Sequence, residues 1–271
     1  MVTIAKTKQP VRMPRFGHRV DKTDPILRGC VGWWPLNDGA GTKAVDLSAN
    51  GNDGTLSGSV TWDVGEKGTE ANFAGGQIGL GTGTSGLGLS STDTATVSFW
   101  LKRTTIGASI LGTAFGNPDS GGSSDIALMP TKGEFGTYNW FDIAKNGTQR
   151  RITGVPYTNY EYNHFAVIFN GTNASLYVDG SLYTTITTLP SGNFSATHGN
   201  LEIGGSSLGS LDIKGDIQNV RVYNRALTAT EVSRLYNEPW AGLEPLSPFS
   251  FFSGLSQIYA YYSAAFLQRL G

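Results

Sequence analysis

The chain has 271 residues, of which 39% are hydrophobic and only 15% charged, with 37 glycines and a formal net charge of −1. That length allows one large domain or two small ones, and the glycine content fits a turn-rich all-β protein better than a helical one. The single cysteine, Cys30, excludes an intrachain disulfide, and no run approaches the ~18 apolar residues of a membrane-spanning helix.

Residues 1–28 carry Lys6, Lys8, Arg12, Arg15, Arg19, Lys22 and Arg28 against only Asp21 and Asp24. Pro10, Pro14 and Pro25 and the lack of apolar periodicity predict an extended basic arm. Met1 to Gln9 has no apolar signal-peptide core. Short apolar runs then alternate with glycine-rich turns, predicting a domain over residues 29–238. In 95–102, Ala95, Val97, Phe99 and Leu101 share one face, the period of a half-buried strand. The run His164 to Phe169 is apolar almost throughout and predicts a central strand, with His164 as a hydrogen-bonded core residue. Asp179-Gly180 predicts a tight hairpin turn. Thr228 followed by Glu231 has capping-box spacing, with Val232, Leu235 and Tyr236 on one face and Pro239 as the stop. The tail, residues 239–271, holds Trp240, Phe249, Phe251, Phe252, Tyr259, Tyr261, Tyr262 and Phe266, and 255–270 has the spacing of a second helix.

Many short strands with few helices predict an all-β, two-sheet antiparallel jelly-roll sandwich with one short C-terminal helix and extended terminal arms. Several stretches, in order, resemble the laminin-G-like, concanavalin A-like family in its bacterial and viral form: Gly32-Trp-Trp-Pro-Leu-Asn-Asp-Gly, Asp46-Leu-Ser-Ala-Asn-Gly-Asn-Asp-Gly, Asn72-Phe-Ala-Gly-Gly, Thr96-Val-Ser-Phe-Trp-Leu-Lys, His164-Phe-Ala-Val-Ile-Phe through Asp179-Gly180, and Gly215-Asp-Ile-Gln-Asn-Val-Arg-Val-Tyr. Each motif is weak alone, but the ordered set covers residues 30–237. Tyr162 stands where the family usually has Trp, a change expected to affect packing more than function. The resemblance implies the sandwich, and in relatives the region of Asp46 can hold a structural calcium ion. The alternative for Asp46 is an Asx-turn without metal.

Catalytic spacing is absent from the sequence. The alternating carboxylates of laminarinase-type relatives have no counterpart; Glu202, Asp212 and Asp216 are the nearest approach. His18, His164 and His198 have no metal-ligand spacing, and Cys30 reads as buried filler. Tyr138, Trp140, Tyr157 and Tyr160 concentrate rings that could form a glycan or partner face, or fill the core on alternate positions. The arm could bind nucleic acid nonspecifically, stay solvated, or run over an acidic neighbour; the last is preferred, with no specific nucleic-acid partner. The ring-rich tail must be covered by its own sandwich, by a neighbour or by a membrane surface, and its scarcity of cations disfavours the membrane.

These features predict a non-enzymatic structural subunit of a virion: a capsid decoration or cement-type protein, with a phage tail or adhesin component second. It would be assembled in the host cytoplasm and docked to other capsid or virion subunits as part of an oligomer. Arg12, Arg15, Arg19, Trp240, Phe249, Phe251, Phe252, Tyr259, Tyr262 and Phe266 are the expected contacts. The alternative is a carbohydrate-binding module or lectin, with calcium dependence if Asp46 holds the ion.

Overall fold

The computed structural model describes residues 18–65, 68–104, 115–117, 124–132, 139–158, 160–196, 201–205 and 213–245. The expected second helix over 255–270, and most of the arm and tail, lie outside the described residues. The strands are β1 (His18–Val20), β2 (Cys30–Trp34), β3 (Lys43–Ala44), β4 (Gly54–Gly65), β5 (Gly68–Gly79), β6 (Thr94–Arg103), β7 (Phe115–Gly116), β8 (Ile126–Lys132), β9 (Asn139–Lys145) and β10 (Thr148–Thr153). They continue with β11 (Asn163–Asn170), β12 (Asn173–Val178), β13 (Ser181–Ile186), β14 (Glu202–Ile203) and β15 (Lys214–Tyr223), then helix α1 (Ala229–Asn237) and β16 (Leu243–Pro245).

One hydrogen-bonded path runs β10-β9-β8-β7-β14-β5-β15-β6-β11-β12-β13, and every pairing along it is antiparallel. The path doubles back at β5 to make the sandwich. Ala71 to Ala74 pair with β15, whereas Ile78 and Gly79 pair with β14. The change of layer falls at Gly75 and Gly76, where the β4–β5 register slips between Gly58 and Val60. A Cβ on Gly76 would lie 2.4 Å from the Ser57 carbonyl oxygen, so the crossing needs glycine there. We call the β15-β6-β11-β12-β13 half the helix layer and the β14-β7-β8-β9-β10 half the far layer.

The expected alternation on β6 is met: Ala95, Val97, Phe99 and Leu101 all enter the main core. Rings from the two layers meet there, Phe141 of β9 lying 5.4 Å from Phe165 of β11 between centroids. β6 is nevertheless not half-buried, because Thr96, Ser98 and Trp100 on its other face are buried too. A second core covers them. Ile26, Leu227, Val232, Leu235 and Ala241 pack over Ala166, Ile168, Tyr177 and Tyr223. The capping box of α1 is complete, Thr228 Oγ1 accepting from Glu231 N and Glu231 returning a carboxylate oxygen to Thr228 N. Asp179 (φ 49°) and Gly180 (φ 78°) make the predicted hairpin turn between β12 and β13.

The described parts of the terminal segments are fastened to the domain rather than projecting from it. Asp24 takes both Arg234 Nη atoms, at 2.7 and 2.8 Å, and Gly242 N at 3.1 Å. Ile26 is 1% exposed beneath α1. β1 pairs antiparallel with β16, setting His18 opposite Pro245. Arg19, among the expected subunit contacts, pairs with Glu244 of its own chain at 2.6 Å and stays 66% exposed. Trp240, expected likewise, sits half-buried in a turn whose carbonyl accepts from Leu243 N. The physical reason is proximity: α1 returns the chain to the root of the arm. Arg12, Arg15, Phe249, Phe251, Phe252, Tyr259, Tyr262 and Phe266 lie outside the described residues.

Candidate functional site

The far layer has two unlike faces. Ile78, Ile203, Phe115, Leu128 and Ile143 line up across five strands, each fully buried in the core. The adjacent row of the same strands, on the outer face because side chains alternate, is Gly79, Glu202, Gly116, Ala127 and Ala144. Glu202 apart, this row is made of small residues, and Ala127 and Ala144 in it are buried. Two residue pairs along, Met129 lies opposite Asp142, which lies opposite Arg151, and two further along Trp140 pairs with Thr153.

Asp142 is fully buried, and its carboxylate is held by a fork of two hydrogen bonds from Arg151, Nε to Oδ1 and Nη2 to Oδ2, both 2.8 Å. The Arg151 side chain is 48% exposed. Its guanidinium lies 4.6 Å over the Trp140 ring, and the Asp142 carboxylate beside it raises its pKa above the ordinary arginine value. The result is a rigid, outward-facing cation braced on an indole. Sequence analysis singled out Trp140 and missed Asp142 and Arg151. The signal lay in Asn146-Gly147: both adopt positive φ (47° and 75°), closing a tight turn that sets Asp142 across from Arg151.

The other rings expected on this face separate. Tyr157 is 7% exposed and meets Phe165 edge-on in the core, because the carbonyl oxygens of Val155 and Tyr157 are pinned by Asn139 Nδ2 and the loop is drawn inward. Tyr160 is 53% exposed at φ 63°, its N–H donating to the Arg103 carbonyl at 2.8 Å. Tyr138 lies outside the described residues.

Asp46 is an internal pin. Oδ1 accepts from Trp33 N at 2.9 Å and Ser48 N at 2.8 Å; Oδ2 accepts from Ser48 Oγ at 2.8 Å and Asn52 N at 3.0 Å. Asp53 in turn accepts Asp46 N and Lys43 Nζ. A calcium ion needs about six to eight free oxygens, whereas both oxygens of Asp46 already serve donors of its own loop and of β2. These residues do not fit the structural calcium expected at Asp46; they fit the Asx-turn. Among the described residues no three His, Cys, Asp or Glu side chains group as a metal site.

The acidic residues considered for catalysis are engaged elsewhere. Asp216 is 3% exposed, ion-paired with Lys102 at 2.8 Å and hydrogen-bonded by Asn72 at 2.5 Å. Beside it the carboxylate of Glu70 accepts the Tyr162 hydroxyl and, at 3.0 Å, Gln218 Nε2. Burial raises the Glu70 pKa above the usual carboxylate range. This group ties β5, β6 and β15 to the loop bearing Tyr160. It was not visible in sequence, where Glu70 and Tyr162 are far apart. Asp212 lies outside the described residues. Ser98 Oγ lies 2.8 Å from His164 Nε2, a nucleophile–base distance, but the two are 2% and 1% exposed and stand beneath Trp100 and Tyr236. Burial first, then the charge of Arg221, depresses the imidazole pKa to about 3, and Nδ1 has no orienting partner. The pair serves the second core. Burial pushes the Cys30 thiol up to about 11, which leaves it protonated and inert at neutral pH.

The sequence model of the concanavalin A-like lectin/glucanases superfamily matches residues 50–233. No curated protein sequence matches the chain. Among solved structures, domain 4 of AbnA, a GH43 extracellular arabinanase from Geobacillus stearothermophilus in complex with arabinotriose, aligns with a TM-score of 0.58 at 19% identity, over 76% of this chain and 98% of that one. Trypanosoma rangeli sialidase aligns at 0.59 and 16% identity over 77% of this chain, but only 33% of its own length. The binding domain of botulinum neurotoxin DC, in complex with rat synaptotagmin II, aligns at 0.59 and 12% identity over 78% of this chain and 52% of that chain. At these identities the likeness is one of fold.

Proposed function

The chain belongs to the concanavalin A-like lectin/glucanases superfamily, and on that premise we propose that it is a non-enzymatic structural subunit of a virion. In this reading it is a capsid decoration or cement-type protein, or second a tail or adhesin component, held to neighbouring subunits by its terminal segments. The observation that supports this reading is the pairing of β1 with β16. Because His18 faces Pro245, the points where the basic stretch and the ring-rich stretch join the domain lie side by side, roughly 5 Å apart. In this reading the basic stretch and the ring-rich stretch act together as one composite attachment. Tyr160 lies at the other end of β6: Arg103 meets it there, whereas Thr96, about 23 Å away at ~3.3 Å per residue, meets Leu227 of the anchored end.

Particle assembly with truncated chains tests this. Deletion of residues 1–17 or 246–271 is expected to leave the sandwich folded and to prevent its incorporation. Full occupancy of truncated chains would overturn the reading.

A second reading is favoured by the Trp140–Arg151–Asp142 patch: a carbohydrate-binding module using the outer face of the far layer. An aromatic ring beside fixed polar groups is the usual makeup of a sugar subsite, and the AbnA domain, similar in fold over nearly its whole length, is recorded with arabinotriose. Calcium has no role in this reading. Binding on a broad glycan panel, undiminished by chelator, would support it; a blank panel would remove it.

A further inference from the structure

The Asp142–Arg151 pair has a feature that packing alone does not explain. A fully buried carboxylate on the outer face of a sheet pays a desolvation cost, and an apolar pair of like volume would stabilise that position as well or better. What the ion pair provides instead is an arginine locked in one pose at the surface. Asp142 spends both oxygens on Nε and Nη2, which leaves Nη1 of a half-exposed side chain without a hydrogen-bond partner. Beneath it, Trp140 Nε1 is sealed from water without an acceptor, so the indole serves as a platform and not as a second ligand donor. The patch therefore turns one unmet donor outward, Arg151 Nη1, and its one carboxylate has no accepting capacity turned outward.

From this open donor we propose that the β9–β10 edge of the far layer binds an acidic saccharide, with the sugar carboxylate accepting from Arg151 Nη1. Asp142 acts as a positioning residue that presents the guanidinium, and Trp140 is its platform. This rests on the carbohydrate-binding reading and narrows it to anionic sugars. A neutral sugar offers hydroxyls that both donate and accept, and its donors would find no free acceptor on these three residues. A carboxylate offers acceptors only, and a guanidinium edge fits it better than an ammonium.

The test is calorimetric titration of the full chain with matched probes: 3′-sialyllactose against lactose, and tetragalacturonate against its methyl ester. At least one acidic probe should bind ten-fold or more tightly than its neutral partner, and raised salt should weaken it. Because Arg151→Ala alone would strand a buried charge and could unfold the chain, the variant of choice is Asp142→Asn/Arg151→Gln, which keeps a neutral hydrogen-bonded pair. It should lose the acidic preference while melting as a folded protein. Arg151→Lys keeps the charge but loses the fork, and should lose most of the preference too. Equal binding of acidic and neutral probes, or an acidic preference that survives in the double variant, would overturn the proposal while leaving sugar binding intact. No binding to any probe would count against both.

Discussion

The two layers carry a like cation–indole pair on their outer faces and use it differently. On the helix layer, Ser98, Trp100, His164 and Arg221 lie on the outer side of their strands, yet all are sealed under α1 and the segment around Ile26. Arg221 stacks 3.9 Å from the Trp33 ring and its Nη2 reaches the Pro239 carbonyl, wholly out of water. On the far layer Arg151 stacks on Trp140 in a like manner but keeps half its surface in solvent. The same cation–indole pairing thus serves closure on one side and presentation on the other. Which of the two it does depends on whether another segment of the chain comes to cover it.

By that division, damage on the helix layer should appear as lost stability, and damage on the far layer as lost stability only where a buried charge is stranded. The largest expected effect is Ile26→Ala, about 4 kcal/mol from deleting a buried side chain in the second core, read by denaturant unfolding. Arg151→Ala should cost about 3 kcal/mol by leaving Asp142 unpaired, and Asp142→Asn/Arg151→Gln should recover most of it. Acid should weaken the helix layer through His164. The folded pKa, about 3, lies below the ordinary value near 6.5, so the unfolded chain takes up a proton first. Stability is therefore full above pH 6.5 and falls as pH drops, by about 2 kcal/mol between pH 6.5 and 5 at ~1.4 kcal/mol per unit. A His164→Gln variant should be flat over that window. An unchanged slope in the variant would place the sensitivity elsewhere. The smallest effect is Thr228→Ala, about 1 kcal/mol for the lost cap of α1.

What sequence reasoning could reach was what repeats locally. Alternation along β6 identified the core face, Asp179-Gly180 the hairpin, and Thr228 with Glu231 the helix start, because each is decided within a few residues. The covering of β6 on its second face was not legible, since Ile26 and Leu235 come from opposite ends of the chain and only the fold brings them over Ala166 and Tyr177. The same holds for Arg19 with Glu244 and for Glu70 with Tyr162. The candidate patch was half legible. Trp140 was picked out as a ring, but its partners needed the register that Asn146-Gly147 sets. For Tyr157 the sequence leaves both a surface face and the core open, because spacing in a loop does not say which way a side chain turns.

The ribbon of β1 and β16 also decides how the domain would carry load. It is three residue pairs long, and a pull on the two outgoing segments enters at the His18–Pro245 end, so force would open it one pair at a time, like a zip. Such a joint yields at low tension but spares what lies behind it. The sandwich, gripped at that one corner, would swivel toward the pull before its long β4–β5 and β6–β15 ladders felt any strain.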